Sequence, residues 1–155
     1  MPPTAQRLDV TVDEQRERII FGRPLEWGKE TTGQFARIGP IGEHGPEYIT
    51  PKTFRRLIDN GYIDPAGTQN GSATMGELCE LGETALNDDS VDVVGYTGYM
   101  IGPDRPDSRI TLTSITIEPP SGATLSKDVQ RDFENVCRTA DEYERDGYRC
   151  HAWWD

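Results

Sequence analysis

Lysine is nearly missing from this 155-residue chain, which has three lysines against thirteen arginines and 27 carboxylate side chains. The formal net charge of −11 is spread along the sequence, so at ordinary ionic strength mutual repulsion would weaken a compact state. In molar salt the Debye length falls to about 3 Å and most of that repulsion is screened. The composition therefore predicts a halophilic protein from a salt-accumulating cytoplasm.

Long hydrophobic runs and cysteine motifs are also missing. No apolar run approaches the roughly 18–20 residues of a membrane span, and residues 1–7 do not resemble a signal peptide, so we expect a cytoplasmic protein without membrane contact. Cys79, Cys137 and Cys150 are too widely spaced for a CxxC unit, and their odd number fits reduced thiols. We expect no metal site and no cofactor.

The length predicts one α+β domain over residues 1–155. Residues 1–50 are largely irregular, with a strand predicted at Leu8–Val12, a helix at Glu14–Phe21 and a strand at Gln34–Ile38. Residues 50–90 are predicted to hold two helices. Thr50 with Pro51 opens the first, and the capping box Thr74-x-x-Glu77 opens the second.

The inner faces of these two helices follow from their apolar spacing. The first is expected to bury Phe54, Leu57 and Ile58, and to leave Lys52, Arg55, Arg56 and Asp59 outside. The second is expected to bury Met75, Leu78, Cys79, Ala85 and Leu86.

Residues 91–155 predict a β-β-α-β unit in an antiparallel sheet. Val91–Ile101 and Arg109–Glu118 form a hairpin, and a bulge near Thr113 and Ser114 restores one buried face where the apolar alternation changes phase. A single long helix is predicted over Ser126–Asp146, followed by a final strand at Tyr148–Trp154.

The final strand supplies the main candidate site. Alternation places Cys150, Ala152 and Trp154 under the long helix, and Arg149, His151 and Trp153 on the opposite face. That second set is too aromatic to be left in water, so either the N-terminal half or another copy of the chain is expected to cover it. Trp153 is the best interface anchor. We also expect the final strand at a sheet edge, which favours self-association.

The hairpin tip supplies two further candidate binding residues, Arg105 and Arg109. Their guanidinium groups are able to fork onto a carboxylate or phosphate ligand. The alternative is that Arg105 pairs with Asp107, and Arg109 with Asp104, to fix the turn.

Three classes of function remain open. The preferred class is a non-enzymatic interaction or regulatory module. The alternatives are a small-molecule-binding protein or small enzyme with an arginine-lined site, and a winged-helix-like nucleic-acid binder. The last is disfavoured because Glu77, Glu80 and Glu83 make the second helix acidic, and an intrahelical Arg55–Asp59 pair would use part of the basic face of the first.

Two segments of the C-terminal part resemble a family of small acidic haloarchaeal proteins of uncharacterised function. The first runs from Gly95-Tyr96 through Pro103-Asp104-Arg105-Pro106-Asp107 to Arg109-Ile110-Thr111. The second joins Ala140-Asp141-Glu142 to Ala152-Trp153-Trp154-Asp155. The resemblance covers about the last 60 residues. It implies no activity and no site.

The acidic composition generates a prediction about salt. Dialysis from molar KCl to about 0.1 M KCl should lower the melting temperature, because the repulsion among carboxylates is then poorly screened. Circular dichroism at matched protein concentration measures the change. An unchanged or higher melting temperature at low salt would contradict the halophilic interpretation.

Overall fold

The structure is a computed structural model, and it describes residues 14–40, 42 and 45–155. The strand expected at Leu8–Val12 lies outside these residues. The helix expected next is present as α1, residues 14–21, and it ends at Gly22 with a positive φ of 80°. A left-handed glycine at this position is a common helix terminator.

The described residues form four helices and one five-stranded antiparallel sheet, which confirms the α+β class. After α1 the helices are α2 (Pro51–Asp59), α3 (Met75–Leu86) and α4 (Lys127–Cys137). The strands are β1 (Phe35–Ile38), β2 (Val93–Ile101), β3 (Arg109–Glu118), β4 (Glu142–Arg145) and β5 (Cys150–Trp153). Their order in the sheet is β1-β2-β3-β5-β4.

The helix starts are where the capping residues predicted them. The Thr50 hydroxyl accepts a hydrogen bond from the Thr53 amide at 3.2 Å. Thr74 and Glu77 form the complete capping box. The Ser126 hydroxyl accepts from the Val129 amide at 3.2 Å. These oxygens satisfy amide groups that have no partner within a helix.

Helices α2, α3 and α4 form a layer on one face of the sheet, which we call the helix layer, and Tyr96 of β2 joins this layer to the sheet. Its buried hydroxyl donates to the Leu78 carbonyl of α3 at 2.6 Å, and its ring meets Phe54 of α2 edge-on at 4.7 Å. The hydroxyl passes directly over Gly82, where an added Cβ would overlap it. Leu86, expected in this core, is instead 44% exposed, because it lies at the last residue of α3, beyond these contacts.

The predicted bulge is present in the hairpin. Thr97 pairs with Ser114 and Gly98 pairs with Leu112, which leaves Thr113 as an extra residue in β3. The phase of the strand therefore shifts, so that Ile110, Leu112, Ile115 and Ile117 are all buried. At Gly98 the β3 backbone comes so close that an added Cβ would overlap the Thr111 carbonyl oxygen.

The C-terminal part differs from the predicted β-β-α-β order in two ways. The helix expected over Ser126–Asp146 ends at Cys137, and Glu142–Arg145 forms the additional strand β4. Tyr143 keeps its apolar contact, with its ring 5.4 Å from that of Phe133, but reaches it from a strand. The apolar spacing of the sequence fits both a single long helix and a shorter helix followed by a strand, because both place Tyr143 against Phe133.

The prediction that the final strand lies at a sheet edge is also wrong. β5 is hydrogen-bonded on one side to β3 and on the other to β4, so its backbone groups are already paired. The Asp141 amide donates to the Trp153 carbonyl at 2.9 Å and extends the pairing of β4 with β5.

We predict that Gly82→Ala destabilises the protein by about 2–3 kcal/mol, because the new methyl group overlaps a buried hydroxyl that has no room to move. Chemical denaturation in molar KCl measures the free energy of unfolding. Thr84→Ala, an exposed position on the same helix, is the matched control and should be neutral or slightly stabilising. Equal stability of the Gly82→Ala protein and the wild type would show that Tyr96 is not confined in this way.

Candidate functional site

One face of the sheet carries the candidate site. Helices α2, α3 and α4 contact the strands from the side where Ala36, Val94 and Cys150 are buried. Ile20 of α1 belongs to the same core. On the other side Tyr48 covers Gly95, with ring atoms 2.7 Å from the position of an added Cβ. We call this second side the open face; its strand residues include Phe35, Arg37, Thr97, Tyr99, Ser114, Thr116, Glu142, Glu144, Arg149, His151 and Trp153.

The structure brings together the three candidates from the final strand. Trp153 lies between Ser114 and Glu142 in the register of the sheet, and it is partly exposed. Arg149 forms ion pairs with Glu144 at 3.0 Å and with Glu118 at 3.6 Å. Trp153 is therefore the aromatic side chain of β5 that is partly accessible to a partner, whereas Arg149 is paired with neighbouring carboxylates.

His151 lies one position farther along the same face. Its Nδ1 is 2.7 Å from the hydroxyl oxygen of Thr116. Desolvation by burial, helped by the positive charge of Arg149, lowers the pKa of His151 below its ordinary value. The neutral imidazole is consequently the favoured form around neutral pH.

The two candidates from the hairpin tip do not join this group. Arg105 binds both carboxylate oxygens of Asp107, at 2.8 and 2.9 Å. Arg109 also pairs with Asp107, at 3.4 Å, rather than with Asp104 as expected, and it donates to the Thr111 hydroxyl at 3.0 Å. The tip thus uses its arginines to fix its own turn.

Sequence reasoning missed a cavity of about 540 Å³ beside the bulge. Arg37 and Tyr99 line one side, and Trp153 with Gln69 and Asn70 lines another. Arg37 is exposed, and within the described residues no carboxylate forms an ion pair with it. The sequence did contain a signal for the position of Arg37. It alternates with Ala36 and Ile38, which are buried, and this alternation predicts that its side chain is on the opposite face of β1.

The loop that forms one wall of the cavity is held from two directions. The Gln69 side-chain amide donates to the Asp155 carbonyl at 3.2 Å, and the Thr139 hydroxyl donates to the Gly71 carbonyl at 2.8 Å. Between these anchors Asn70 has a φ of 45°, in the left-handed region that asparagine tolerates better than most residues.

Aromatic side chains extend from this cavity to the β1 edge of the open face. The rings of Phe35 and Tyr99 stack at 5.2 Å, with 26° between their planes. The guanidinium of Arg37 lies 5.8 Å from the Phe35 ring, and that of Arg109 lies 5.9 Å from the Tyr99 ring. These are distances at which a cation is attracted to an aromatic face.

The three cysteines lie outside the open face and are buried. Desolvation raises the pKa of Cys79 and of Cys150 to about 11 in each case. Burial raises the pKa of Cys137 still further, with an added contribution from Cys150. Their thiolate forms are therefore scarce at neutral pH, and thiolate is the reactive form.

Comparisons with protein-family models, with curated proteins and with solved structures find no match to this chain. In the part of the chain that the structure describes, no group of three or more histidine, cysteine or carboxylate side chains is arranged to hold a metal ion. Across the same residues, no helix combines the length and the apolar character needed to cross a membrane.

We predict that all three cysteines resist thiol reagents in the folded protein at pH 8, since burial both blocks access and keeps the thiols protonated. Reaction with an aromatic disulfide reagent in molar KCl should release almost no thiolate until denaturant is added. Three equivalents should then react. Fast labelling of Cys79 or Cys137 in the folded protein would reopen the case for a nucleophile.

Proposed function

We propose that this protein is a non-enzymatic interaction module of a halophilic cytoplasm, and that the open face of the sheet is its interaction surface. The observation that carries the proposal is the partly exposed group of Trp153, Tyr99 and Phe35 on the sheet face opposite to α2, α3 and α4. The other face of the same sheet is fully used by the helix layer.

The composition of the open face supports protein binding. Trp, Tyr and Arg are the residue types most enriched among binding hot spots, and hot spots cluster near the centre of an interface. Tyr99 is on β2 and Trp153 is on β5, the two strands that flank the central strand β3, whereas Glu142 and Glu144 lie on the edge strand β4. An aromatic centre with a charged rim is the usual arrangement of an interface.

The reactive side chains favour binding over catalysis. Each cysteine has a raised pKa, so its thiolate is scarce, and the hydrogen-bond partner of His151 is the Thr116 hydroxyl rather than a thiol. Arg105 and Arg109 are occupied by Asp107.

A small-molecule-binding protein is the second candidate, and the cavity at the bulge favours it. The volume of about 540 Å³ is within the ordinary range for ligand sites, and Arg37 offers a guanidinium without a carboxylate partner among the described residues. An anionic ligand with a planar ring would bind Arg37 and stack on Trp153 or Tyr99.

Nucleic-acid binding is less favoured than either. Arg55 on the basic face of α2 forms a bidentate pair with Glu83 of α3, at 2.7 and 3.0 Å, and not the intrahelical pair expected with Asp59. The helix that would have to enter a groove also exposes Glu80. The acidic charge of the whole chain opposes approach to phosphate.

Oxidative footprinting of Trp153 tests the proposal. In dilute purified protein Trp153 should be oxidised readily, while Trp154, only 1% exposed, should be protected and serves as the internal control. Adding the macromolecular fraction of a cell extract from a halophilic host, in molar KCl, should protect Trp153 at least severalfold.

The fractions of the extract separate the candidate functions. Protection by the small-molecule fraction alone would favour the second candidate, and Arg37→Gln should then remove it. Equal oxidation of Trp153 with and without either fraction, at every protein concentration, would contradict the interaction module.

A further inference from the structure

We infer that the partner of the open face is a second copy of this chain, related by a two-fold axis that runs parallel to β3. The inference rests on the proposed function, because it identifies the occupant of the same surface. The geometry that points to it is the order of charge and aromatic groups across the five strands.

Charge on the open face is divided between the two edges of the sheet. β1 contributes Arg37, which has no carboxylate partner in the described part of the chain, and β4 contributes Glu142 and Glu144. Glu144 is engaged by Arg149, but Glu142 has no ion pair with a described residue. One edge therefore presents a cation and the other an anion.

A two-fold axis parallel to β3 brings these edges together. β3 is the middle strand of the order β1-β2-β3-β5-β4, so this rotation places β2 of one copy over β5 of the other and brings the β1 edge to the β4 edge. Through the register, Arg37 is level with Tyr99 and Glu142 is level with Thr97, so the two charges are offset by two residues, about 7 Å, along the strands. Such an interface is isologous, and both Arg37–Glu142 contacts form at once. Sheets packed face to face are about 10 Å apart, so with the offset along the strands the Cα atoms of Arg37 and Glu142 are about 12 Å apart, a distance that the two side chains span when they are extended.

The aromatic groups are complementary under the same rotation. Trp153 of β5 comes to lie over β2 of the other copy, where Thr97 and Tyr99 line the cavity at the bulge. The cavity in each copy thus receives the aromatic side chain from its partner. At that point the Thr97 and Ser114 hydroxyls hydrogen-bond to each other, so one of their two protons already has a partner.

The dimensions of the open face suit a dimer of this kind. Five strands about 4.8 Å apart span about 24 Å, and strands of four to ten residues run about 13 to 33 Å. The five strands hold 31 residues, so the face covers roughly 500 Å² in each copy. This is below the approximately 800 Å² per partner of a standard interface, and it fits a weak, reversible dimer.

Edge-to-edge pairing is a poorer alternative. All four residues of β4 are exposed, and three of them are charged, which is a usual protection of a sheet edge. Gly42 lies against β1, since an added Cβ there would be 2.9 Å from the Arg37 carbonyl oxygen.

Charge exchange between the two edges tests the inference. In molar KCl, sedimentation velocity of the wild type over a range of micromolar concentrations should show a monomer–dimer equilibrium. Arg37→Glu and Glu142→Arg should each weaken the dimer about tenfold or more, because each places like charges at two symmetric contacts. The double variant should recover most of the wild-type affinity.

Two further variants keep the test decisive. Arg18→Glu makes the same change of charge at an exposed position on α1, and it should leave the dimer intact. Trp153→Ala should give a folded monomer. Its free energy of unfolding should fall by less than that of Trp154→Ala, because Trp154 is buried in the core.

A wild type that is monomeric at every concentration would overturn the inference, and so would a dimer in which the double variant is no better than the singles. In either case, protection of Trp153 by the cell extract would leave the interaction module standing with another partner. Loss of that protection as well would reject both.

Discussion

The packing of the Tyr96 hydroxyl against Gly82 is the constraint on which the helix layer depends. A buried hydroxyl must have a hydrogen-bond partner, and here the partner is the Leu78 carbonyl in the middle of α3. Only a residue without a side chain at position 82 allows that approach. The same ring meets Phe54, so one side chain sets the position of α2 and α3 relative to β2. The buried residues of these two helices are thereby directed to one face of the sheet.

The bulge at Thr113 has the complementary effect on the other face. It shifts the alternation of β3 so that the apolar residues before and after it point towards the helices. The polar residues on both sides of it, Thr111, Ser114 and Thr116, consequently share the open face. The bulge also lies beside the cavity where Thr97, Thr113 and Trp153 meet. A single inserted residue thus serves both the core and the candidate site.

Much of the fold was predictable because short-range signals dominate it. The capping residues Thr50, Thr74 and Ser126 identified the helix starts, and the phase change in β3 identified the bulge. The end of α4 was not predictable from the same signals. Tyr143 keeps the helical spacing from Ala140, and only its pairing with Ala152 makes its segment a strand. The two residues are only nine positions apart, across the turn between Asp146 and Arg149. The apolar spacing within the expected helix did not reveal this pairing, because it does not include the partner strand.

The candidate site was predictable only in part, for a related reason. Alternation along one strand placed Arg149, His151 and Trp153 together, because it needs no knowledge of neighbours. Arg37 comes from a four-residue strand more than a hundred positions earlier, and its place on the same face depends on the pairing of β1 with β2. The strand order likewise decides which charges occupy the two edges.

The anchoring of the loop around Asn70 bears on the order in which the molecule assembles. The hydrogen bond from Gln69 joins residues 86 positions apart, and the bond from Thr139 to Gly71 spans 68. Contacts between such distant residues form only after the intervening chain is organised, because closing a long loop costs entropy in advance. We therefore expect the wall of the cavity to be completed late in folding, after the β2–β3 hairpin. We also expect this loop to open in local fluctuations before the core around Tyr96, because none of residues 64–71 is buried.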